Sequence, residues 1–142
     1  MKPSPLLASA ALTLLSASLP GCASAPATII QGEKYPQDIR HVQSIDIQVF
    51  RHDTEIEFTN TTARVFGPST LWLNRRFSHH IEGLALGQTI KFPLKSFTDE
   101  FGDRFRGGGF FATQRPEYLG LAELQTGDEM IGLIVVGNEE PG

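Results

Sequence analysis

From residue 42 onward, apolar and polar positions alternate along the chain in short runs. In the run SIDIQVF, residues 44–50, the β-branched apolar residues share one face, and EIEFT, residues 55–59, repeats the pattern after a polar turn. A period of two is typical of a β-strand with one buried face, and two such runs joined by a turn predict a β-hairpin. Residues 44–59 are therefore predicted to form an antiparallel hairpin.

Similar runs continue to residue 137, with no convincing helix between them. They are STLWLNRRF at 69–77, IEGLALGQTIKFPLKSF at 81–97, EYLGLAELQ at 117–125 and EMIGLIVVG at 129–137. In the first of these, Leu71 and Leu73 are expected to face away from Trp72. About seven to nine short strands, separated by turns at intervals of roughly 8 to 12 residues, are typical of an antiparallel sandwich or a small barrel. We favour an all-β fold built as a single antiparallel β-sandwich.

Two segments of the predicted domain resemble immunoglobulin-like and fibronectin-like envelope domains. LALGQTIKFPL, residues 84–94, is similar to a strand–turn–strand unit in which a leucine and a turn glycine precede alternating apolar residues. TNTTARVFGPSTLWLN, residues 59–74, is similar to the early strands of such domains. The resemblance implies an immunoglobulin-like sandwich, although the tryptophan and two cysteines of antibody domains are not present together in this chain.

Residues 1–21 have the pattern of a secretory signal peptide. Lys2 supplies a positive charge, and residues 6–19 are apolar or small and carry no charge. A membrane-spanning helix needs about 20 mostly apolar residues, whereas this run is shorter, contains serines and is flanked by prolines. We therefore expect the chain to be exported and residues 1–21 to be removed.

The motif Leu19-Pro20-Gly21-Cys22 resembles the lipobox of bacterial lipoproteins, and Cys22 is the only cysteine of the chain. The resemblance implies a diacylglycerol thioether on Cys22, cleavage before it and acylation of the new amino group. The residues after Cys22 are not the aspartate that retains such proteins at the inner membrane. The resemblance therefore implies anchoring at the outer membrane or the periplasmic face of the envelope. Ordinary cleavage after Ala23-Ser24-Ala25 is the alternative.

The remainder of the chain divides into a tether, one domain and a tail. Residues 22–41 contain Pro26 and Pro36, which interrupt helices, and are predicted to form a lipidated tether. Residues 42–138 are long enough for one β-sandwich domain but not for two, and 139–142 form a C-terminal tail. The formal net charge of −4 argues against nucleic acid or anionic lipid as the main partner.

Two groups of side chains could bind metal ions. His80 and Glu82 would share one face of a strand, beside His79, and with a remote ligand they could hold zinc. The acidic turn at 99–103 offers carboxylates to a hard cation, but calcium needs about six to eight oxygen ligands. We favour solvated loop histidines and a solvated turn, and we predict no resident metal, because neither group supplies a full ligand set.

The segment FRGGGFF, residues 105–111, is the most unusual local feature. Consecutive glycines at 107–109 pack poorly in a strand, and they allow a positive φ or a close approach to the backbone. The segment lacks the ending of a phosphate-binding loop, so a flexible connection is favoured. If the domain has a partner surface we expect it here, because aromatic and arginine side chains are enriched at interfaces. Its predicted members are Arg104, Arg106, Phe110, Phe111 and Arg115.

No pattern in the chain indicates catalysis. The serines lie outside any G-x-S-x-G motif. The acidic residues at alternate strand positions are explained as the solvent-exposed face of a sheet. We therefore predict a non-enzymatic, lipid-anchored envelope protein that binds or braces another envelope protein or component, for example by strand addition. It would carry no cofactor beyond the acyl groups on Cys22. A lipoprotein that binds a metal or a small ligand is the alternative, and an envelope enzyme ranks last.

Overall fold

The structure is a computed structural model that describes residues 31–137, together with Met1, Pro3 and Pro5. The predicted lipobox with Cys22, nearly all of the signal peptide and the C-terminal tail lie outside the described residues. Most of the predicted tether lies outside them as well. The structure therefore bears on the domain and on the segment that leads into it.

Eight strands and one short 3₁₀ helix make up the regular structure of the described residues. The strands are β1 (Arg40–Val42), β2 (Gln48–His52), β3 (Glu55–Thr59), β4 (Ser69–Leu73), β5 (Phe77–Ile81), β6 (Thr89–Pro93), β7 (Ala122–Thr126) and β8 (Glu129–Val136). The 3₁₀ helix, Leu94–Ser96, follows β6 directly. The prediction of an all-β fold is confirmed.

The strands form one curled sheet in the order β5-β4-β7-β8-β2-β3-β6, with β1 also paired to β8. The pairs of β8 with β1 and with β2 are parallel, and the other pairs are antiparallel. The prediction of an antiparallel immunoglobulin-like sandwich is therefore wrong, because the sheet is a mixed half-barrel. Side chains alternate between faces in parallel and antiparallel strands alike, so the period of two did not reveal the direction of pairing.

The main hydrophobic core lies on the inner side of the curled sheet. Ile56 and Phe58 of β3 face into it, as do Leu71 and Leu73 of β4, and all four are almost fully buried. The predicted antiparallel hairpin is confirmed for β2 and β3, but β2 begins at Gln48, and residues 44–47 lie outside any strand. The predicted separation of Leu71 and Leu73 from Trp72 is also confirmed, because Trp72 belongs to a different cluster.

This second, smaller cluster lies on the outer face of the sheet. Tyr35, Trp72 and Met130 are buried there, and Ile39 packs against them. The Tyr35 ring meets Trp72 edge-on, with 5.2 Å between the ring centroids. The stretch 33–41, which the sequence assigns to the tether, thus packs on the sheet, and the folded domain begins before residue 42.

The two outermost strands of the sheet, β5 and β6, approach each other across the core. The rings of His79 in β5 and Phe92 in β6 have centroids 4.2 Å apart. After the 3₁₀ helix, Thr98 exchanges two backbone hydrogen bonds with Ser78 of β5, at 2.9 and 3.2 Å. The chain that follows, residues 99–121, has no named strand, and this long connection carries the predicted partner surface.

Candidate binding surface

Asp99 organises the start of the long connection. Its side chain is 1% exposed, and one carboxylate oxygen accepts hydrogen bonds from the backbone N–H groups of Phe101 and Asp103. Arg76 donates to the other oxygen from Nε at 2.9 Å and Nη2 at 2.8 Å. Burial opposes ionisation of Asp99, but the donors outweigh it and hold its pKa below the ordinary value. The expectation of a solvated turn is therefore wrong for Asp99.

The consecutive glycines pass close to neighbouring parts of the chain. A Cβ atom on Gly107 would lie 3.1 Å from the Cβ of Leu94, and one on Gly108 would lie 2.9 Å from Cγ of Pro116. Gly108 and Gly109 have φ values of 85° and 110°, which side-chain-bearing residues rarely adopt. These close contacts and positive φ values explain why glycine occupies positions 107–109.

Phe110 and Phe111 project into solvent directly after the glycines. They are 95% and 91% exposed, and their rings meet edge-on with centroids 4.9 Å apart. Phe105, on the same connection, is 1% exposed. Clustered apolar side chains on a surface mark interaction sites more often than isolated ones do. This pair is therefore the strongest candidate contact of the described surface.

The predicted arginines lie along the same connection, and we call residues 104–117 the aromatic loop. Nη2 of Arg106 lies 3.5 Å from Oε1 of Glu117, and the backbone N–H of Arg106 donates to Oε2 at 2.8 Å. Arg104 and Arg106 line a polar cleft of about 450 Å³ together with Arg76. Arg115 is exposed on the far arm of the loop. The phenylalanine pair does not line the cleft.

Glu123 in β7 is a buried carboxylate that the sequence pattern does not reveal. It is 3% exposed, and the phenol of Tyr35 donates a hydrogen bond to Oε2 at 2.8 Å. Nη2 of Arg75 and Nδ1 of His41 lie 3.4 and 3.7 Å from Oε1. Burial and the adjacent Glu123 carboxylate raise the pKa of Tyr35 to about 12. The cluster fastens the N-terminal segment to the sheet.

The sequence hides this cluster for a physical reason. A glutamate in an alternating strand is expected on the solvent face, and its hydrogen-bond donor Tyr35 is 88 positions away. One signal was present, because Trp72 falls on the face that the pattern assigns to solvent. A tryptophan on that face indicates that another segment covers it.

The histidine pair lies in strand β5, so the prediction that it sits in a loop is wrong. Neighbouring strand residues point to opposite faces, and the two rings diverge. His79 packs against Phe92 and Phe97, with centroid separations of 4.2 and 5.2 Å. His80 is exposed, and its Nε2 lies 3.8 Å from the Glu82 carboxylate. The structure thus brings His80 near Glu82 but turns His79 into the core.

Among the described residues, no three His, Cys, Asp or Glu side chains are grouped so that they could hold a metal ion. The same residues contain no helix of the length and hydrophobicity needed to cross a membrane. No protein-family model, curated protein or solved structure matches the chain.

Proposed function

We propose that this chain is a lipid-anchored protein of the cell envelope whose β-domain binds or braces another envelope component without catalysis. Acyl groups on Cys22 hold it at the outer membrane or the periplasmic face of the envelope, and the aromatic loop is the contact surface. The exposed pair Phe110 and Phe111 carries the proposal. The lipobox motif at Cys22 supports the anchor.

The two exposed rings leave apolar surface in contact with water. Burying a phenylalanine side chain contributes about 1.5–3 kcal/mol, so two rings left in water forgo a stabilisation that a covering partner would restore. Interfaces concentrate their binding energy in a few aromatic and arginine residues. The aromatic loop offers Phe110 and Phe111 together with Arg104, Arg106 and Arg115.

The edges of the sheet suit a partner less well than the loop does. In β5, Ser78 is already paired with Thr98. β6 contains Lys91 and ends at Pro93, and lysine and proline on an edge strand oppose the addition of another strand. We therefore assign the contact to the aromatic loop rather than to strand addition.

Photo-crosslinking in intact cells tests the contact surface. A photoreactive residue in place of Phe111 should capture a discrete protein or lipid product, identified by mass spectrometry. The same residue in place of Val65 should not, although Val65 is 61% exposed, because it lies outside the loop. Phe110→Ser should reduce capture at position 111 without lowering the melting temperature. Equal capture at positions 65 and 111, or none at 111, contradicts the proposed surface.

The anchor is tested separately, by the intact mass of the mature protein purified from membranes. We expect cleavage before Cys22 and added acyl chains. Cys22→Ser should yield a chain without acyl groups and without cleavage before residue 22. A soluble product that begins at Pro26 would indicate ordinary signal-peptidase cleavage and would remove the anchor from the proposal.

A further inference from the structure

We infer that the component met by the aromatic loop is the surface of the bilayer that carries the anchor, and that its headgroup region takes up the exposed phenylalanine rings. This inference rests on the proposed function, and in particular on acylation of Cys22. It names one occupant for the loop: a zwitterionic lipid surface rather than a second protein.

The described chain enters the domain beside the connection that leads to the loop. The N–H of Gly32 donates a hydrogen bond to the carbonyl oxygen of Asp99 at 2.8 Å. A Cβ atom on Gly32 would clash with the carbonyl of Thr98, so the two segments are in close contact. Phe101, two residues after Asp99, is 73% exposed. A third exposed phenylalanine thus lies next to the point where the chain arrives from Cys22.

Arg76 connects this entry point with the aromatic loop. Its guanidinium binds Asp99, and it also lines the polar cleft with Arg106 and Gln114 of the loop. The turn 99–103, Arg76 and the loop therefore form one continuous surface. The ten residue-to-residue steps from Cys22 to Gly32 span at most about 35 Å. A bilayer that holds acyl chains on Cys22 is therefore always within reach of this surface.

The charges of this surface cancel. Its arginines are Arg76, Arg104, Arg106 and Arg115, and its carboxylates are Asp99, Glu100, Asp103 and Glu117. A neutral surface has no electrostatic preference for an acidic protein, a nucleic acid or an anionic lipid. The apolar attraction of the phenylalanine rings remains, and a zwitterionic bilayer satisfies it at the boundary between headgroups and acyl chains. The arginine side chains can keep their guanidinium groups among the headgroups.

The two rings of Phe110 and Phe111, entering only this boundary region, bind a membrane weakly by themselves. The tether makes the contact intramolecular, which gives the loop a high effective concentration at the bilayer. Docking is therefore a property of the acylated protein. The Cys22→Ser chain should show little binding to the same vesicles.

The test uses the full acylated chain in phosphatidylcholine vesicles. Because Cys22 is the only cysteine and acylation consumes it, Ala112→Cys provides a single thiol beside the phenylalanine pair for a fluorophore. Brominated phosphatidylcholine should quench this fluorophore several-fold more strongly than one attached at Val65→Cys. Adding Phe110→Ser and Phe111→Ser to the Ala112→Cys chain should remove the difference and leave the circular dichroism spectrum unchanged. High salt should leave the quenching unchanged, because the surface is neutral.

The outcomes separate the inference from the proposed function. Strong quenching at position 112, absent at position 65 and lost without the two rings, supports bilayer docking. Equal quenching at the two positions overturns it. No quenching at 112, combined with capture of a protein at position 111 in cells, overturns it and leaves the proposed function standing. A mature mass without acyl chains on Cys22 overturns both.

Discussion

Two buried carboxylates, Asp99 and Glu123, fix the irregular parts of the chain to the sheet. Asp99 holds the turn that begins the long connection, and Glu123 holds the N-terminal segment through Tyr35. A buried charge is costly unless it is paired and hydrogen-bonded, and both carboxylates have an arginine partner. Loss of either carboxylate should therefore lower the free energy of unfolding more than the loss of a surface ion pair would.

Asp99→Asn should lower the free energy of unfolding by about 2 kcal/mol at pH 7, because hydrogen bonds to a charged group are lost. The pKa of Asp99 is lower in the folded protein than its ordinary value of 3.8. Its ionisation therefore contributes stability that is complete above that value and is lost as the pH falls through the folded-state pKa. The gap between wild type and variant should shrink in acid.

Urea denaturation at pH 7 and at pH 3 measures this gap. Glu100→Gln is the matched control, because Glu100 is an exposed carboxylate beside Asp99, and it should change stability little. A gap of the same size at both pH values would show that the charge of Asp99 does not act as described.

The residues of the candidate site differ in how far the sequence could reveal them. The aromatic loop could be recognised from the sequence alone, because its glycines and its two phenylalanines are consecutive in the chain. Glu123 depends on a donor from a distant segment, and no local pattern carries that information. The hypothesis of a metal site at His79, His80 and Glu82 depended on which way the side chains of one strand point. In the structure, that strand turns His79 toward Phe92.

The N-terminal segment acts as a cover over the outer face of strands β4, β7 and β8. Tyr35 and Ile39 shield Trp72 and Met130, and β1 adds a short parallel ladder to β8. The sequence assigned this stretch to the tether because Pro36 interrupts it and its apolar residues have no period. Its structure depends on packing against the sheet rather than on its own sequence pattern.

Tyr35→Ala should expose Trp72, which is the only tryptophan of the chain and is 1% exposed. We expect a red-shifted emission, stronger quenching by acrylamide and a loss of about 3 kcal/mol of stability, since a large buried ring is removed. Tyr118→Ala is the control, because Tyr118 is 48% exposed. An unchanged tryptophan spectrum in Tyr35→Ala would mean that the segment does not cover Trp72 in solution.

Across the whole molecule, the pairing of β8 departs most from the sequence prediction. The β2–β3 hairpin was predictable because its strands are adjacent and their turn is local. The parallel partners of β8 lie far away in the sequence, and the alternation of side chains is the same for either direction. The kink at residues 43–47, where the chain moves along β8 from β1 to β2, has no marker in the pattern.

Gly132→Ala tests this arrangement, because a Cβ atom on Gly132 would overlap Oγ of Ser44 at the kink. The variant should lose about 1–3 kcal/mol of stability in urea denaturation, as expected for overpacking. Ser44→Ala in the same chain should restore part of the loss, since it removes the closest atom. Gly67→Ala, which meets no atom within 4 Å, should be neutral. If Ser44→Ala restored no stability, the strain caused by Gly132→Ala would lie at a contact other than Ser44.

The central position of β8 has a consequence for when the molecule can fold. Arg40 pairs with Glu129, and Gln48 pairs with Ile134, so β1 acquires its partner strand, and β2 its parallel partner, only after β8 has been synthesised. Contacts of such long sequence separation also form slowly. A nascent chain with this connectivity has no finished sheet while it is being made. Under the export that we propose, the chain would therefore still be unfolded when it reaches the translocation channel, and it would complete its fold on the far side.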